Sequence, residues 1–527
     1  MQYNPRKETV TLFGASGSMG YEAFKELWKR KEKYNIVVLL LPTRKEKKLF
    51  RKYEIETGIK PIPGKGVSLG RGLKIVWGDA TDYQDVEEAV YETDWVLNAM
   101  ALISPQADYY PAAARRVNID GIKNIIKAIQ NQPGGAEHIK YIHTGTVAET
   151  GDRLPPIHCG RVGDPLKPSI FDYYAVTKIA GERAVLESDL KYWASLRMTF
   201  IMPVDSEDYL SLWDPIMFHQ PINSCMENIS SRDAGFGLVN CLDLPEDSDF
   251  WRGVYNMGGG PKMRCSTYGF MTKALKLGGI SSVEAVTERD WFALRNFHMQ
   301  YYEDSKLTNK YLNYWRDSLE DWLEALREDM PARLKQVALL ASKFPFFQKI
   351  VENITYRRMQ AMVKDHKNGT GYWYHNQNHP RISAFYNDYQ TFDSIPDWNT
   401  DLPDLVPDLD WIRLDHGYDE HKGKLDLSDL KKAAIFRGGE CLSEKWDGDW
   451  YQPLSWGCAA GHEFSGKPYT ILKGGHWCPE CVPPPWDFDR EAKVNPFFAQ
   501  VWYPNHDRKE ENFYPEDCLA DIAGADE

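Results

Sequence analysis

From Thr9 to about Ala148, short apolar runs alternate with stretches in which apolar residues recur every three to four positions. Thr9 to Phe13, Ile36 to Leu41, Leu73 to Val76, Trp95 to Asn98 and Ile139 to His143 are predicted strands. Tyr21 to Lys31, Asp85 to Tyr91, Ala112 to Ile129 and Tyr173 to Leu186 are predicted helices. Parallel strands need long crossover connections, and these are usually helical, so the alternation implies an α/β fold: a Rossmann-type, doubly wound parallel sheet with helices on both faces. Beyond Leu196 the pattern loosens, as in a small substrate lobe, until Asp317 to Glu328 closes it with an amphipathic helix. Pro331 to about Lys367 is helical again and rich in apolar and basic residues. Gly369 to Leu409 has many Trp, Tyr, Asn, Asp and Pro and little periodicity, so an irregular connector on the surface is expected. Cysteines gather between Ser428 and Val482, and the tail from Pro483 to Glu527 ends acidic and is expected to fray. The expected divisions are a sheet domain with its lobe (1–330), a helical and irregular extension (331–427), a cysteine-rich module (428–485) and a tail (486–527).

A chain of 527 residues exceeds what one core supports, about 250 to 300, which agrees with several domains. Its net charge of -13 argues against a chain-wide surface for nucleic acid or anionic membrane. No apolar run approaches the ~18 residues of a membrane span. The first strand follows Met1 so closely that a signal peptide has no room, and a cytoplasmic protein is expected. Nine scattered cysteines do not make a disulfide framework. The expected partner is a small-molecule substrate; a homodimer is compatible with the sequence.

The first strand runs into Gly14-Ala15-Ser16-Gly17-Ser18-Met19-Gly20, and a helical pattern opens directly after it. Glycines at such a turn let the backbone approach a pyrophosphate, whose charge then rests at the positive end of the helix. The spacing is G-x-x-G-x-x-G, and further matches follow in order: Gly78-Asp79-Ala80-Thr81-Asp82 after the third strand, Asn98-Ala99-Met100-Ala101 after the fourth, and Asn118-Ile119-Asp120-Gly121 with Asn124. Over roughly residues 8 to 328 the chain resembles the extended short-chain dehydrogenases/reductases, the epimerase/dehydratase-like group that binds NAD or NADP. The resemblance implies that Gly14, Ser16, Gly17, Ser18, Met19, Gly20, Asp79, Ala80, Ala99, Met100, Ala101 and Asn118 line the cofactor, although Ile122 stands where the family usually has threonine. NAD-selective members carry an acid at the end of the second strand; here Arg44 and Lys45 follow instead, which favours the 2′-phosphate of NADP.

Tyr174 and Lys178 lie at i and i+4 on one helix face. A nearby ammonium favours the phenolate and brings a tyrosine toward the working range for proton transfer. The resemblance makes Lys178 also a ligand of the nicotinamide ribose. A hydroxyl after the fifth strand should polarise the substrate oxygen; Thr144 is preferred and Thr146 is the alternative. Dehydratases of the family usually add an Asp-Glu pair after the threonine, and epimerases an asparagine after the next strand; Gly145-Thr146 and Arg197 to Pro203 supply neither. The leading expectation is an NADP-dependent oxidoreductase acting on a carbonyl or secondary alcohol. A sugar-nucleotide epimerase and a non-catalytic NADP-binding scaffold or sensor are the alternatives.

Cys458, His462, Cys478 and Cys481 come as two short knuckles, a ligand set that tetrahedral zinc prefers; four protein ligands leave no open position, so the site would be structural. The surrounding segments resemble a treble-clef-like zinc ribbon, with His476 and Cys441 as spare ligands.

Overall fold

The computed structural model describes residues 7–399 and 410–516. The chain enters at β1 (Glu8–Phe13), turns through glycines into α1 (Ser18–Lys29), and continues with β2 (Tyr34–Leu40), α2 (Arg44–Thr57), β3 (Gly66–Leu69), β4 (Leu73–Trp77), α3 (Tyr83–Val90) and β5 (Trp95–Asn98). The short α4 (Gln106–Tyr109) and α5 (Pro111–Arg115) lead through a π-turn at Arg116–Asp120 into α6 (Gly121–Asn131); α7 (Gly135–His138) precedes β6 (Lys140–Thr146). Then come β7 (Cys159–Gly160), α8 (Tyr173–Leu186) and β8 (Tyr192–Met198). Residues 200–329 supply β9 (Phe200–Met202), α9 (Ser206–Ser211), β10 (Cys225–Ser230), α10 (Ser231–Asn240), β11 (Gly253–Met257), β12 (Arg264–Ser266), α11 (Thr267–Leu277), β13 (Tyr301–Tyr302), α12 (Ser305–Leu312) and α13 (Leu319–Asp329).

The main sheet has the order β11-β8-β6-β5-β1-β2-β4-β3, and every neighbouring pair in it is parallel except β3 with β4. β2 is buried at every position, as a strand covered by helices on both faces must be. The antiparallel edge strand β3 was not expected. Strand order reverses beside β1, so a crevice opens at the carboxyl ends of β1 and β5, where ligands of such sheets bind. β6 runs three residues past its expected end at His143, because its pairing with β8 continues to Thr146 opposite Met198.

The extension starts with α14 (Ala332–Lys343) and α15 (Pro345–Val363), followed by α16 (Thr370–His375), α17 (His379–Tyr386) and α18 (Tyr389–Asp393). The last three overturn the expected surface connector: Trp373, Phe385 and Tyr386 are buried in one core with Phe171 and Trp486. The part of that connector at 400–409 lies outside the described residues. The cysteine-rich segment folds as α19 (Leu427–Phe436) and a small antiparallel sheet of β14 (Gly439–Cys441), β15 (Leu454–Cys458) and β16 (Glu463–Gly466), around a core that includes Leu430, Trp456 and Leu472. The tail is not frayed up to residue 516: α20 (Phe488–Val494) and α21 (Pro496–Trp502) bury Phe488, Phe498 and Trp502 in the core shared with α16 and α17. Residues 517–527 lie outside the described residues.

Candidate active site

The glycine turn links β1 to α1 under tight constraints. Gly14 has φ +76°, and a Cβ there would stand 2.7 Å from the backbone of Ala99 and Met100. A Cβ on Gly20 would lie 1.9 Å from Gly14 O, so the first turn of α1 closes on the strand only with glycine. Gly17 N–H donates to Gly14 O at 3.1 Å, and no side chain caps α1 at Gly17. The amides of that first turn therefore remain available to an anion. Ser16 is half-buried, Met19 is buried, and the Ser18 hydroxyl donates to Asp208 at 2.8 Å.

Around the turn, Ala99 N–H donates to Phe13 O and Met100 N–H to Asn98 Oδ1, which holds the Ala99 to Ala101 segment against β1. Asp79 accepts from Thr81 N–H, while Ala80 O accepts from Asn124. Asn118 lies in the π-turn; its amide bonds both Leu102 N–H and Leu102 O and also donates to Thr177 on α8. Asn118 thus ties the cofactor-side segment to the helix of Tyr174. At the start of α2, Thr43 caps the helix, and Arg44 and Lys45 are exposed with no ion-pair partner among the described residues.

Two carboxylates organise the first turn of α8. Asp172 accepts from Ala175 N–H at 2.8 Å, and Asp108 accepts from Tyr173 N–H at 2.8 Å and Tyr174 N–H at 3.4 Å. Burial, with Asp172 nearby, pushes Asp108 up to about 8. One turn on, Lys178 is buried and donates to Thr144 O at 2.5 Å. Burial pulls its ammonium down to about 8, against the opposing pull of Glu149 and Glu182. Burial raises the Tyr174 phenol, while the neighbouring Thr146 hydroxyl works in the other direction.

The two threonines are therefore used differently. Thr144 Oγ1 donates to Asn98 O at 2.5 Å, which occupies its proton within the sheet edge. Thr146 stands beside the Tyr174 phenol and caps the turn Val147–Glu149, whose Glu149 carboxylate accepts Thr146 N–H at 2.9 Å. Thr146 thus stands by Tyr174, while Lys178 is tied to the backbone of Thr144, whose own hydroxyl is turned to Asn98.

Beneath this group lies a buried charge network absent from the sequence-based expectations. Arg197, fully buried, pairs with Glu182 at 2.6 Å and Glu149 at 3.2 Å. Arg197 and His476 hold Glu182 well below the usual carboxylate range although burial opposes them, whereas burial and the Glu182 charge push Glu149 well above it. A Cβ on Gly145 would lie 3.0 Å from Arg197 and Glu149, so glycine makes room for the network. Thr146-Val147-Ala148-Glu149 has the spacing of a capping box, the one signal that could have singled out Glu149.

The Cys-rich module docks on α8 itself. His476 Nε2 lies 2.8 Å from Glu182, Gly474 O accepts from Arg197 at 2.7 Å, and Trp477 O accepts from Arg183 at 2.7 Å. Lys467 Nζ donates to Leu186 O and Ser188 O, covering the carbonyl end of the helix. His476 is thus spent on Glu182, and Cys441 is buried in the module's own core; neither joins the four predicted metal ligands. Those four converge: His462 Nδ1 lies 3.5, 3.5 and 3.4 Å from the sulfurs of Cys458, Cys478 and Cys481, and Cys458 and Cys481 sulfurs are 3.9 Å apart.

A parallel sheet with a glycine turn at its switch point, followed by the helix of Tyr174 and Lys178, defines a Rossmann-like α/β domain. Residues 10–206 match the model of the NAD dependent epimerase/dehydratase family. No curated protein matches the chain. Among solved structures, dTDP-glucose 4,6-dehydratase from Bacillus anthracis in complex with NAD is 12% identical, covering 63% of this chain and 99% of its own, with a TM-score of 0.46. UDP-glucose 4-epimerase from Bifidobacterium longum in complex with NAD+ and UDP is 18% identical, covering 64% and 100%, with a TM-score of 0.45. The UDP-Glc/GlcNAc 4-epimerase from Campylobacter jejuni is 17% identical, covering 62% and 99%, with a TM-score of 0.46. Among the described residues no helix is long and apolar enough to cross a membrane.

Proposed function

We propose that the chain is an NADP-dependent oxidoreductase that interconverts a carbonyl and a secondary alcohol. The observation that carries this reading is the placement of the Thr146 hydroxyl beside the Tyr174 phenol, with Lys178 buried one helical turn away. β1, β5 and β6 are adjacent, so the glycine turn and Thr146 leave the same edge of the sheet, two strand spacings or roughly 10 Å apart across it. The first turn of α1 would hold the pyrophosphate. Arg44 and Lys45, exposed at the start of α2 with no ion-pair partner among the described residues, would hold the 2′-phosphate. NADP, when bound, supplies or accepts the hydride. Tyr174, raised by burial, keeps its proton at neutral pH and so can give it to the oxygen of a carbonyl substrate. Thr146 would donate to the same oxygen and align it, and Lys178 would stabilise the phenolate left behind.

Zinc fits the four converged ligands. With Zn–S near ~2.3 Å and Zn–N near ~2.0 Å, a tetrahedron has S···N edges of about 3.5 Å and S···S edges of about 3.8 Å. The ligand separations of 3.4 to 3.9 Å agree with those edges. Four protein ligands leave no open position, so the ion would brace the module that grips α8.

The test is NADPH consumption over a panel of ketones and aldehydes. Tyr174→Phe should abolish turnover while NADPH still binds, and Arg44→Ala should lower the NADP/NAD ratio of kcat/KM. Undiminished turnover in Tyr174→Phe would remove the proton-transfer assignment. The family match keeps a sugar-nucleotide epimerase as the second reading, recognised by isomerisation with no net change in NADPH. Neither threonine is followed by an Asp-Glu pair, which argues against a dehydratase.

A further inference from the structure

The hairpin of α14 and α15 is built unlike the rest of the molecule. α14 buries only Ala341, which seats against Gly279, where a Cβ would come within 2.7 Å of it. α15 is rooted by its second half, through Met359 and Val363, in a core with Phe218 and Val283. Between these anchors Thr355 is buried and Val351 and Tyr356 pack partly against that core, while the rest of the apolar surface is exposed. On α14, Val337 is 45% and Leu339 52% exposed; at the turn, Phe344 is 50% and Phe346 72% exposed. Phe346, Ile350 and Ile354 continue the apolar surface along α15 at four-residue spacing, so they form one stripe. Surface helices of water-soluble domains present their polar face outward, and this hairpin presents leucines and phenylalanines.

Charge identifies what covers it. Between Pro331 and Lys364 the sequence has seven Lys and Arg against a single acid, Glu352, in a chain whose net charge is -13. That acid accepts from the Ser281 N–H and hydroxyl. Lys343 and Lys349 flank the Phe344-Pro345-Phe346-Phe347 tip and have no ion-pair partner among the described residues. Apolar rings at a tip with lysines on either side suit a bilayer boundary, where the rings enter the acyl region and the ammonium groups stay with the phosphates. A second copy placed on the same face by a twofold axis would bring these cations against one another. The helices are not apolar enough to cross a bilayer, so the hairpin would lie in the interface.

We infer that the α14–α15 hairpin docks the enzyme on an anionic lipid surface, with the phenylalanine tip inserted and the lysines and arginines on the headgroups. The chain-wide negative charge conceals this patch because the cations are concentrated in one element. The docking is independent of the proposed redox chemistry and is tested without it.

The experiment is flotation of the full chain with vesicles of phosphatidylcholine alone and of phosphatidylcholine mixed with phosphatidylglycerol. Partition onto the anionic vesicles should be at least about tenfold stronger and should weaken with salt. Phe346→Ser with Phe347→Ser should abolish binding to both kinds of vesicle. Lys343→Glu with Lys349→Glu should abolish the preference for anionic lipid. Because all four residues are exposed, neither variant should lower the Tm, which separates lost docking from lost folding. No flotation of the wild-type chain would overturn the inference, as would flotation untouched by both variants. A concentration-dependent dimer that the phenylalanine variant dissociates, without vesicle binding, would assign the face to a second copy instead.

Discussion

His476 Nε2 stands 2.8 Å from Glu182 Oε2, although one residue comes from the cysteine-rich module and the other from the helix that carries Tyr174 and Lys178. The contact makes the module part of the support of the candidate active site. Metal binding and folding of such a module are coupled. Cys478→Ser with Cys481→Ser should therefore release zinc and lower kcat by at least about tenfold, a loss of roughly 1.4 kcal/mol in transition-state stabilisation. Metal analysis beside turnover checks both halves. Zinc lost with kcat unchanged would show that α8 keeps its place without the module.

Thr146 and Thr144 should separate cleanly. Thr146→Val removes the hydroxyl beside the phenol and should cut kcat about a hundredfold. Thr144→Val removes a buried hydrogen bond to Asn98 O, and should cost about 1 kcal/mol of stability with a smaller effect on turnover. Equal losses of turnover in the two variants would contradict the roles drawn from their bonding.

Both threonines could be found in the sequence, but not which one faces Tyr174. Alternate residues of a strand point to the same face, so Thr144 and Thr146 are equivalent until the end of the strand is known. The pattern suggested an end at His143; pairing with β8 carries the strand to Thr146. Tyr174 and Lys178 were legible because a helix fixes their relation over a single turn. Trp373 and Phe385 were expected on a surface connector and Trp502 in a fraying tail, because α16, α17 and α21 have only six to eight residues, too few to display a periodic face. Their partners, such as Phe171 and Trp486, are far away along the chain. His476 likewise gave no sign that its partner was Glu182.

Asp108 predicts a pH-dependent gain in stability. Its pKa near 8 in the folded chain exceeds the usual carboxylate value, so the folded state binds the proton more tightly than the unfolded one. The stabilising effect of that proton is complete below about pH 4 and is lost as pH rises toward 8. Asp108→Asn can still accept from Tyr173 N–H but carries no charge. Its Tm relative to wild type should increase by several degrees between pH 4 and pH 8, read by calorimetry. A constant difference across that range would mean that Asp108 does not titrate there.

Lys178, near 8, should set the alkaline limb of activity. Tyr174 is held up by burial and keeps its proton in this range, so the ammonium is the group that changes. For carbonyl reduction, kcat/KM should be level below about pH 8 and fall up to about tenfold per unit above it. A profile flat to about pH 10 would detach Lys178 from the reaction.

Lys467 covers the last carbonyls of α8, and Arg197 beneath the helix reaches Gly474 O. Both contacts bind an element made early in synthesis to residues added nearly three hundred positions later. While the ribosome is still short of Gly474, Glu182 and Arg197 have each other but lack the carbonyl and imidazole that complete their site. The charge network under the helix of Tyr174 is therefore complete only once Gly474 and His476 have been added. Order of synthesis thus sets the order in which the support of α8 is assembled.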